Sequence, residues 1–270
     1  MRTEQDIRDF IFLPVKGRKY LATIVAQEPG ILSGIQWLQK ACRTIGIQLK
    51  KSKKDGEKVK RSDIVAVFHG SAKQMALGEE ELIGWISKSS GIATAAWKAK
   101  KAAGRDLKVV SGAWKKMPLP IKQIVRQAIV DGGMHYRISE KPFAYLDKNY
   151  VQIFGGVKKV LLSMRDLNRF TIIVQLKSER KRLLQEATLA ARLGAHIIMI
   201  DTGKQGDIKR VDLVLRKRGL RKGVKIAFGG NIQIEDLKNL KKMPVEIVDI
   251  GKAIVDAPLL DMKMDIVKRI

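Results

Sequence analysis

The chain reads as an α/β protein in two parts, an α+β unit in roughly its first hundred residues and a series of βα units after it. Three observations support this. From residue 107 onward, short apolar runs alternate with amphipathic stretches, the pattern of parallel strands joined by helical crossovers. The stretch before residue 107 lacks that alternation. With 270 residues and 45% hydrophobic content, there is enough apolar material for one large or two ordinary cores.

In the first part, Tyr20–Gln27 is β-like, Pro29-Gly30 marks a turn, Leu32–Ile45 is helical, and Ile64–Phe68 is a second strand after a polar, lysine-rich segment. A long helical pattern runs from about Gly78 to Ala103, is interrupted by Ser89-Ser90-Gly91, and joins the two parts. The tail Leu259–Ile270 alternates apolar and polar residues at Leu260, Met262, Met264 and Ile266, so it is expected to return to the first domain as a strand. The expected boundaries are therefore residues 1–104, 105–256 and 257–270.

In the second part the apolar runs are Leu107–Ala113, Met134–Ile138, Thr171–Leu176, His196–Asp201, Lys225–Gly230 and Glu246–Ile250. Between them lie helical patterns such as Ser178–Leu193, with Leu183, Leu184, Ala187, Ala190 and Ala191 at helical spacing. Such a series suits a barrel or an open doubly wound sheet, and in both the ligand sits beyond the C-terminal ends of the strands. The residues ending the runs are Lys115, Arg137, Gln175, Asp201, Gly229–Asn231 and Gly251–Ala253.

Composition removes several function classes. The single cysteine, Cys42, excludes an intramolecular disulfide and a thiolate metal cluster, and its place on an apolar helix face makes it a packing residue. No apolar run approaches the roughly 20 residues that span a bilayer, and Met1–Phe10 is charged rather than signal-like, so a cytoplasmic location without membrane partners is expected. His69, His135 and His196 lack metal-ligand spacing and read as structural. The 53 Lys+Arg against 27 Asp+Glu give a formal charge of +26, which attracts phosphorylated ligands and nucleic acid alike. Aromatics are only 6% of the chain and no RNA-type aromatic motif accompanies the basic clusters, so nucleic acid is the less favoured partner.

The chemistry-bearing candidates cluster at strand ends. Phe228-Gly229-Gly230-Asn231 follows an apolar strand and precedes the helical Gln233–Leu240, so its glycines and the amides of a helix start can approach an anion. Asp249-Ile250-Gly251-Lys252-Ala253 ends the next strand, where Gly251 and Lys252 would close the same pocket. Asp201 brings a carboxylate to the mouth, able to accept from ribose hydroxyls, hold Mg²⁺ through water, or cap the next helix. Lys115 and Arg137 aim positive charge at the same place, as a pyrophosphate or carboxylate requires.

These residues resemble the quinolinate phosphoribosyltransferase family. Ser90-Gly91-Ile92-Ala93-Thr94, the Lys115–Pro118 segment, Gly132-Gly133 followed by Arg137, Met199-Ile200-Asp201 and Gly229-Gly230-Asn231-Ile232 occur in that family's order and spacing, and Asp55-Gly56-Glu57 through Ala66-Val67 resembles its first domain. The resemblance implies an N-terminal α/β sandwich and a C-terminal open βα barrel. It also implies a homodimer, or a higher oligomer of dimers, in which each first domain covers the partner's barrel mouth. Phosphoribosyl pyrophosphate with Mg²⁺ would be a substrate, and a pyridine mononucleotide would form with loss of pyrophosphate and CO₂. By position, Lys115 and Arg137 match basic active-site residues, Asp201 the ribose-binding acid, and Gly229, Gly230 and Gly251 the phosphate loops.

The base-binding half departs from that pattern. Glu80 stands where the family has an arginine, Trp114-Lys115-Lys116-Met117-Pro118 replaces Arg-Lys-Thr-Thr-Pro, and His135-Tyr136-Arg137 replaces Asn-His-Arg. Asp147-Lys148-Asn149-Tyr150 replaces Lys-Asp-Asn-His, and Gln175 replaces a glutamate. Two buried carboxylates need paired cations. Glu80 opposes them, Lys116 or Lys148 can compensate only in part, and Trp114 and Tyr136 suit a less charged aromatic ligand. The expectation is a phosphoribosyltransferase-like enzyme acting on a heteroaromatic base other than quinolinate. The alternatives are a catalytically silent nucleotide- or phosphate-binding protein on the same scaffold and a basic nucleic-acid-binding protein.

Overall fold

The computed structural model describes residues 6–178 and 180–270. The first five residues of the charged Met1–Phe10 stretch, and Glu179 within the helical pattern Ser178–Leu193, lie outside the described residues. The chain divides into two compact units, one of residues 1–97, 118–133 and 256–270, the other of 98–117 and 134–255. Residues 118–133 thus group with the first unit although they fall within the 105–256 segment of the sequence reading.

The first unit is built on a four-stranded antiparallel sheet. Its strands are β1 (Lys19–Ala26), β3 (Gln48–Ser52), β5 (Ile64–Ser71) and β12 (Met262–Arg269), in the order β12-β1-β5-β3, with β2 (Gly30–Ile31) and β4 (Lys58–Val59) paired separately. β1 and β5 supply Ala22, Ile24, Ala26, Val65 and Phe68 to a core completed by Leu38, Cys42, Leu82, Ile86 and Leu260. The helix Ile35–Ile45 presents Ile35, Leu38 and Cys42 to it and ends at Gly46, whose left-handed φ of 72° closes a C-cap. Burial pushes the Cys42 thiol up to about 11, which leaves it an inert packing group.

The helix Ala72–Ala103 runs unbroken through Ser89-Ser90-Gly91, where an interruption was expected. Side chains and close packing explain why those small residues stand there. Ser90 Oγ accepts the Ser33 amide at 3.0 Å and donates to the Ser33 carbonyl at 3.2 Å, and Thr94 Oγ1 accepts the Ile31 amide at 2.9 Å. A Cβ on Gly91 would sit 1.9 Å from the Pro258 carbonyl oxygen, so the helix and the returning tail approach closer than any side chain allows. The part of the family motif in this helix therefore has a structural use within the first unit.

The second unit is a six-stranded, all-parallel sheet. Its strands are β6 (Lys108–Val110), β7 (Phe143–Leu146), β8 (Thr171–Leu176), β9 (Ile197–Ile200), β10 (Lys225–Phe228) and β11 (Ile247–Asp249), in the order β6-β11-β10-β9-β8-β7. The sheet curls as a half-barrel around Val110, Ile173, Ile197, Met199, Ala227 and Ile247, with Phe143 and Tyr145 packed against them. Two expectations are corrected. Met134–Ile138 is not a strand: it contributes one isolated bridge, His135 to Val110, and then bends at Tyr136–Ile138, where the Trp114 indole donates to the Tyr136 carbonyl at 2.9 Å. Conversely β7 was not expected, since four residues after Pro142 are too few to show a period.

The loop leading into β10 is fixed by an ion-pair network. Arg221 Nε lies 2.7 Å from Asp212 and Nη2 lies 2.5 Å from Glu246, while Arg216 Nε reaches Asp212 at 2.7 Å. Burial alone would raise the Asp212 pKa, but hydrogen bonds from Arg216 and Arg221 and their charges together hold it below the usual carboxylate range. A depressed carboxylate stabilises the fold above its unfolded pKa of about 3.9, and that contribution disappears as pH falls through the folded value. Arg221→Ala is therefore expected to cost about 2 kcal/mol at neutral pH, and to flatten the loss of stability between about pH 5 and 2. Urea titrations at a series of pH values measure both.

Candidate active site

Because all six strands run the same way, the residues just past their C-terminal ends gather at one edge. Asp201 follows β9, with its side chain 18% exposed. Its Oδ2 accepts Gln175 Nε2 at 2.6 Å and lies 2.8 Å from Lys177 Nζ. Gln175 and Lys177 are two residues apart, so the strand's alternation puts both on one face. Gln175 Oε1 also accepts the Lys148 amide at 3.2 Å, tying in the loop after β7. Asp147 caps the helix Lys148–Ile153 by accepting from Asn149 and Tyr150 amides at 2.8 and 3.2 Å. The backbone of Lys148 is thereby fixed and its side chain is exposed.

The glycine loop after β10 packs backbone against backbone. Gly203 N–H donates to the Gly229 carbonyl at 3.1 Å, and a Cβ on Gly230, whose φ is +105°, would lie 2.6 Å from Gly203 N. Asn231 continues in the left-handed region at φ 54°. The Gly203 loop is held by Thr202 Oγ1 donating to the buried Asp207 at 2.8 Å. Among the described residues, the amides of Gly230, Asn231 and Ile232 donate to no protein acceptor, and neither do those of Gly251, Lys252 and Ala253, which lead into the short helix Lys252–Val255 after the adjacent β11. Successive free amides of this kind form an anion-binding concavity. The helix expected at Gln233–Leu240 is confined to Leu237–Leu240, so the anion would meet loop amides there and not a helix start.

Asp249, at the end of β11, accepts the Gly112 amide at 3.0 Å. Withdrawal from water holds its pKa above the usual carboxylate range; the Gly112 bond opposes this, the Asp201 charge adds to it, and Lys115 and Lys116 oppose it. The position of a Cβ on Gly229 is 3.5 Å from Asp201 Oδ1 and 3.7 Å from Asp249 Cβ, so this glycine keeps open the space between the two acids. Tyr145 in β7 lies beneath Lys115, whose Nζ is 5.0 Å from the ring centroid. Burial holds the Tyr145 phenol well above its ordinary pKa, with the charges of Asp249, Asp201 and Asp147 adding to it.

Trp114 and Tyr136 meet edge to face at 6.2 Å and 76°, and the Arg137 guanidinium lies 5.7 Å from the Tyr136 ring centroid. Lys115 and Lys116 belong to the 3-10 helix Ala113–Lys116 and not to a strand end, and Arg137 sits in a bend with an exposed side chain. Glu80 is in the first unit, where its carboxylate takes Arg8 Nη2 at 2.6 Å. His196 Nδ1 accepts the Ile172 amide at 3.0 Å, a structural bond at the opposite edge of the sheet. Tyr145, Lys177, Gly203, Gly112 and the role of Asp249 were not anticipated. The two-residue spacing from Gln175 was a signal for Lys177, and the strand-end position was one for Asp249.

A curled parallel sheet with an acid and two glycine-bearing segments at its C-terminal edge defines a βα half-barrel protein. Residues 9–90 match the family model for the N-terminal domain of quinolinate phosphoribosyl transferase, and residues 92–265 match that for its C-terminal domain. The chain belongs to the quinolinate phosphoribosyltransferase family. It is 28% identical over 249 residues to a protein of Archaeoglobus fulgidus named probable nicotinate-nucleotide pyrophosphorylase (carboxylating), covering 92% of this chain and 94% of that one. It is 25% identical over 245 residues to the human nicotinate-nucleotide pyrophosphorylase (carboxylating), covering 90% and 81%. The crystal structure of the Pyrococcus furiosus nicotinate-nucleotide pyrophosphorylase superposes with a TM-score of 0.83 at 25% identity, over 97% of this chain and 73% of that one. No helix of the described residues is long and apolar enough to cross a membrane.

Proposed function

We propose that the strand-end mouth of the half-barrel transfers a phosphoribosyl group between pyrophosphate and a pyridine-type base. The carrying observation is the pair of segments after adjacent strands, Gly230–Ile232 and Gly251–Ala253, that offer free amides at the edge where Asp201 lies. The amides would take the 5′-phosphate and Asp201 the ribose hydroxyls, with Gln175 and Lys177 holding the carboxylate in place. The ring nitrogen of the base bonds to C1 of the ribose as the bond from C1 to the pyrophosphate oxygen breaks. Positive charge builds on the ribose, and the fixed carboxylate of Asp201 faces it while Lys115 and Lys116 meet the departing pyrophosphate.

Mg²⁺ fits this mouth as a partner of the substrate. Among the described residues no group of three or more His, Cys, Asp or Glu is placed to hold it, so pyrophosphate oxygens and water would supply most of its ligands, with Asp201 and Asp249 meeting the water. Bound there it would neutralise charge on the leaving pyrophosphate.

The base half favours an aromatic ligand with less negative charge than a dicarboxylate. Trp114 and Tyr136 present an edge-to-face aromatic pair there, and Lys177 is already paired with Asp201. The names of the relatives favour a second reading, in which quinolinate itself is the base and its carboxyl leaves as CO₂. Steady-state pyrophosphate release decides between them. The account predicts a kcat/KM with quinolinate at least about a hundredfold below that of the Archaeoglobus fulgidus relative assayed alongside, about 2.7 kcal/mol of lost transition-state binding. Equal values would establish the second reading.

A further inference from the structure

We infer that the opposite edge of the half-barrel, where its strands begin, binds the phosphate backbone of a nucleic acid. The parallel register puts the residues preceding all six strands on this edge. Arg165 and Arg169 lie before β8, Arg192 before β9, and Arg105 before β6, all exposed. The segment into β10 adds Arg218, Lys222 and Lys225, and the one into β11 adds Lys241 and Lys242, also exposed. The acids nearest them are already engaged: Asp212 by Arg216 and Arg221, Glu246 by Arg221, and Glu140 by Lys108 and His135. Asp106 and Asp166 are the other exposed carboxylates in these connecting segments.

Helix dipoles account for part of this charge, since a cation in the last turn stabilises each helix that ends here, as Arg192 does for Arg180–Arg192 and Arg216 and Lys217 do for Gly206–Lys217. They do not account for Lys225, which opens β10, or for Arg169, which lies in the loop before β8. Nor does the mouth need them, because they sit at the other end of the strands. The Arg221 network holds this loop rigid and leaves Arg218 and Lys222 outward.

Six strands about 4.8 Å apart spread these cations over a rim of roughly 25 Å, the scale of several successive phosphates and too wide for one small anion. Leu167 and Phe170, 36% and 38% exposed, are the large apolar side chains exposed in the loop Arg165–Phe170. They form no amphipathic face to enter a bilayer, whereas one aromatic among cations is what a single strand stacks on. Contacts to the backbone alone make the binding insensitive to sequence.

The test uses the full chain, a fluorescein-labelled single-stranded RNA 20-mer and a salt series from 50 to 300 mM. Arg218→Glu, Lys222→Glu and Lys242→Glu together are expected to weaken binding more than tenfold at low salt and to make the log–log salt slope shallower by about 2 to 3. A control with Lys50→Glu, Lys60→Glu and Arg61→Glu, exposed in the first unit, changes net charge equally and is expected to stay within about threefold of the parent. The thermal midpoint of each variant verifies folding. Absence of RNA binding by the parent, equal weakening by both triples, or binding to phosphatidylserine vesicles in place of RNA would overturn the assignment. Because Arg218, Lys222 and Lys242 lie at the strand-start edge of the sheet and the mouth at the other, failure here leaves the phosphoribosyl reading intact.

Discussion

Gly230→Ala is expected to lower the thermal midpoint by about 6–12 °C and to abolish stabilisation by phosphoribosyl pyrophosphate. The alanine methyl would lie 2.6 Å from the Gly203 amide nitrogen and 3.0 Å from its Cα, atoms of a backbone that is itself pinned to Gly229. At φ +105° an alanine is strained even without that contact. Strain and forced loop separation together suggest about 3 kcal/mol, which converts to that shift for a chain of this size. Opening the loop also scatters the amides of Gly230, Asn231 and Ile232, so ligand binding falls along with stability. Gly229→Ala separates the two effects. Its methyl meets only ordinary contacts of 3.5–3.7 Å, so the midpoint is expected to stay within about 2 °C while the space between Asp201 and Asp249 is filled and affinity drops. Scanning fluorimetry with and without ligand reads both variants.

Asp201→Asn is expected to reduce kcat/KM by about 10²–10³, measured as pyrophosphate release with whichever base proves active, because the negative charge facing the developing ribosyl cation is lost. The amide also leaves Lys177 without its 2.8 Å partner. It further sets an NH₂ or a carbonyl against Gln175 Nε2, which now donates at 2.6 Å. Gln175→Ala is expected to have the smaller effect, since it touches the substrate only through Asp201. A loss in Gln175→Ala as large as in Asp201→Asn would mean that the amide itself contacts the ligand.

What could be read from the sequence followed local physics. Thr171–Leu176 is a strand over the range its apolar run marks, and the strand-end rule reaches Asp201, Gly229, Gly230 and Gly251 because parallel strands must finish at one edge. The returning tail was legible from its period of two, and it pairs with β1 from Tyr20–Arg269 to Ala26–Met262. What escaped depends on contacts distant in the chain. Tyr145 lies on a four-residue strand whose sequence shows no alternation, and its place under Lys115 exists only once the sheet curls. Gly203 looks like any turn glycine until Gly230 is set against it. Ser89-Ser90-Gly91 reads as a helix breaker, yet the helix continues because Ser33 and Pro258 pack against those residues. Met134–Ile138 had a strand's composition, but the chain bends at Tyr136–Ile138 after a single bridge to Val110.

The most direct test of the phosphoribosyl-binding mouth is the thermal midpoint of the full chain in Mg²⁺ as phosphoribosyl pyrophosphate is titrated, with Asp201→Asn in parallel. Ligand at about a hundred times its Kd stabilises the folded state by about 2.7 kcal/mol, so the account predicts a rise of roughly 5–10 °C in the parent and less than a third of that in the variant. No rise in the parent at about 10 mM ligand, or an equal rise in both proteins, would contradict it.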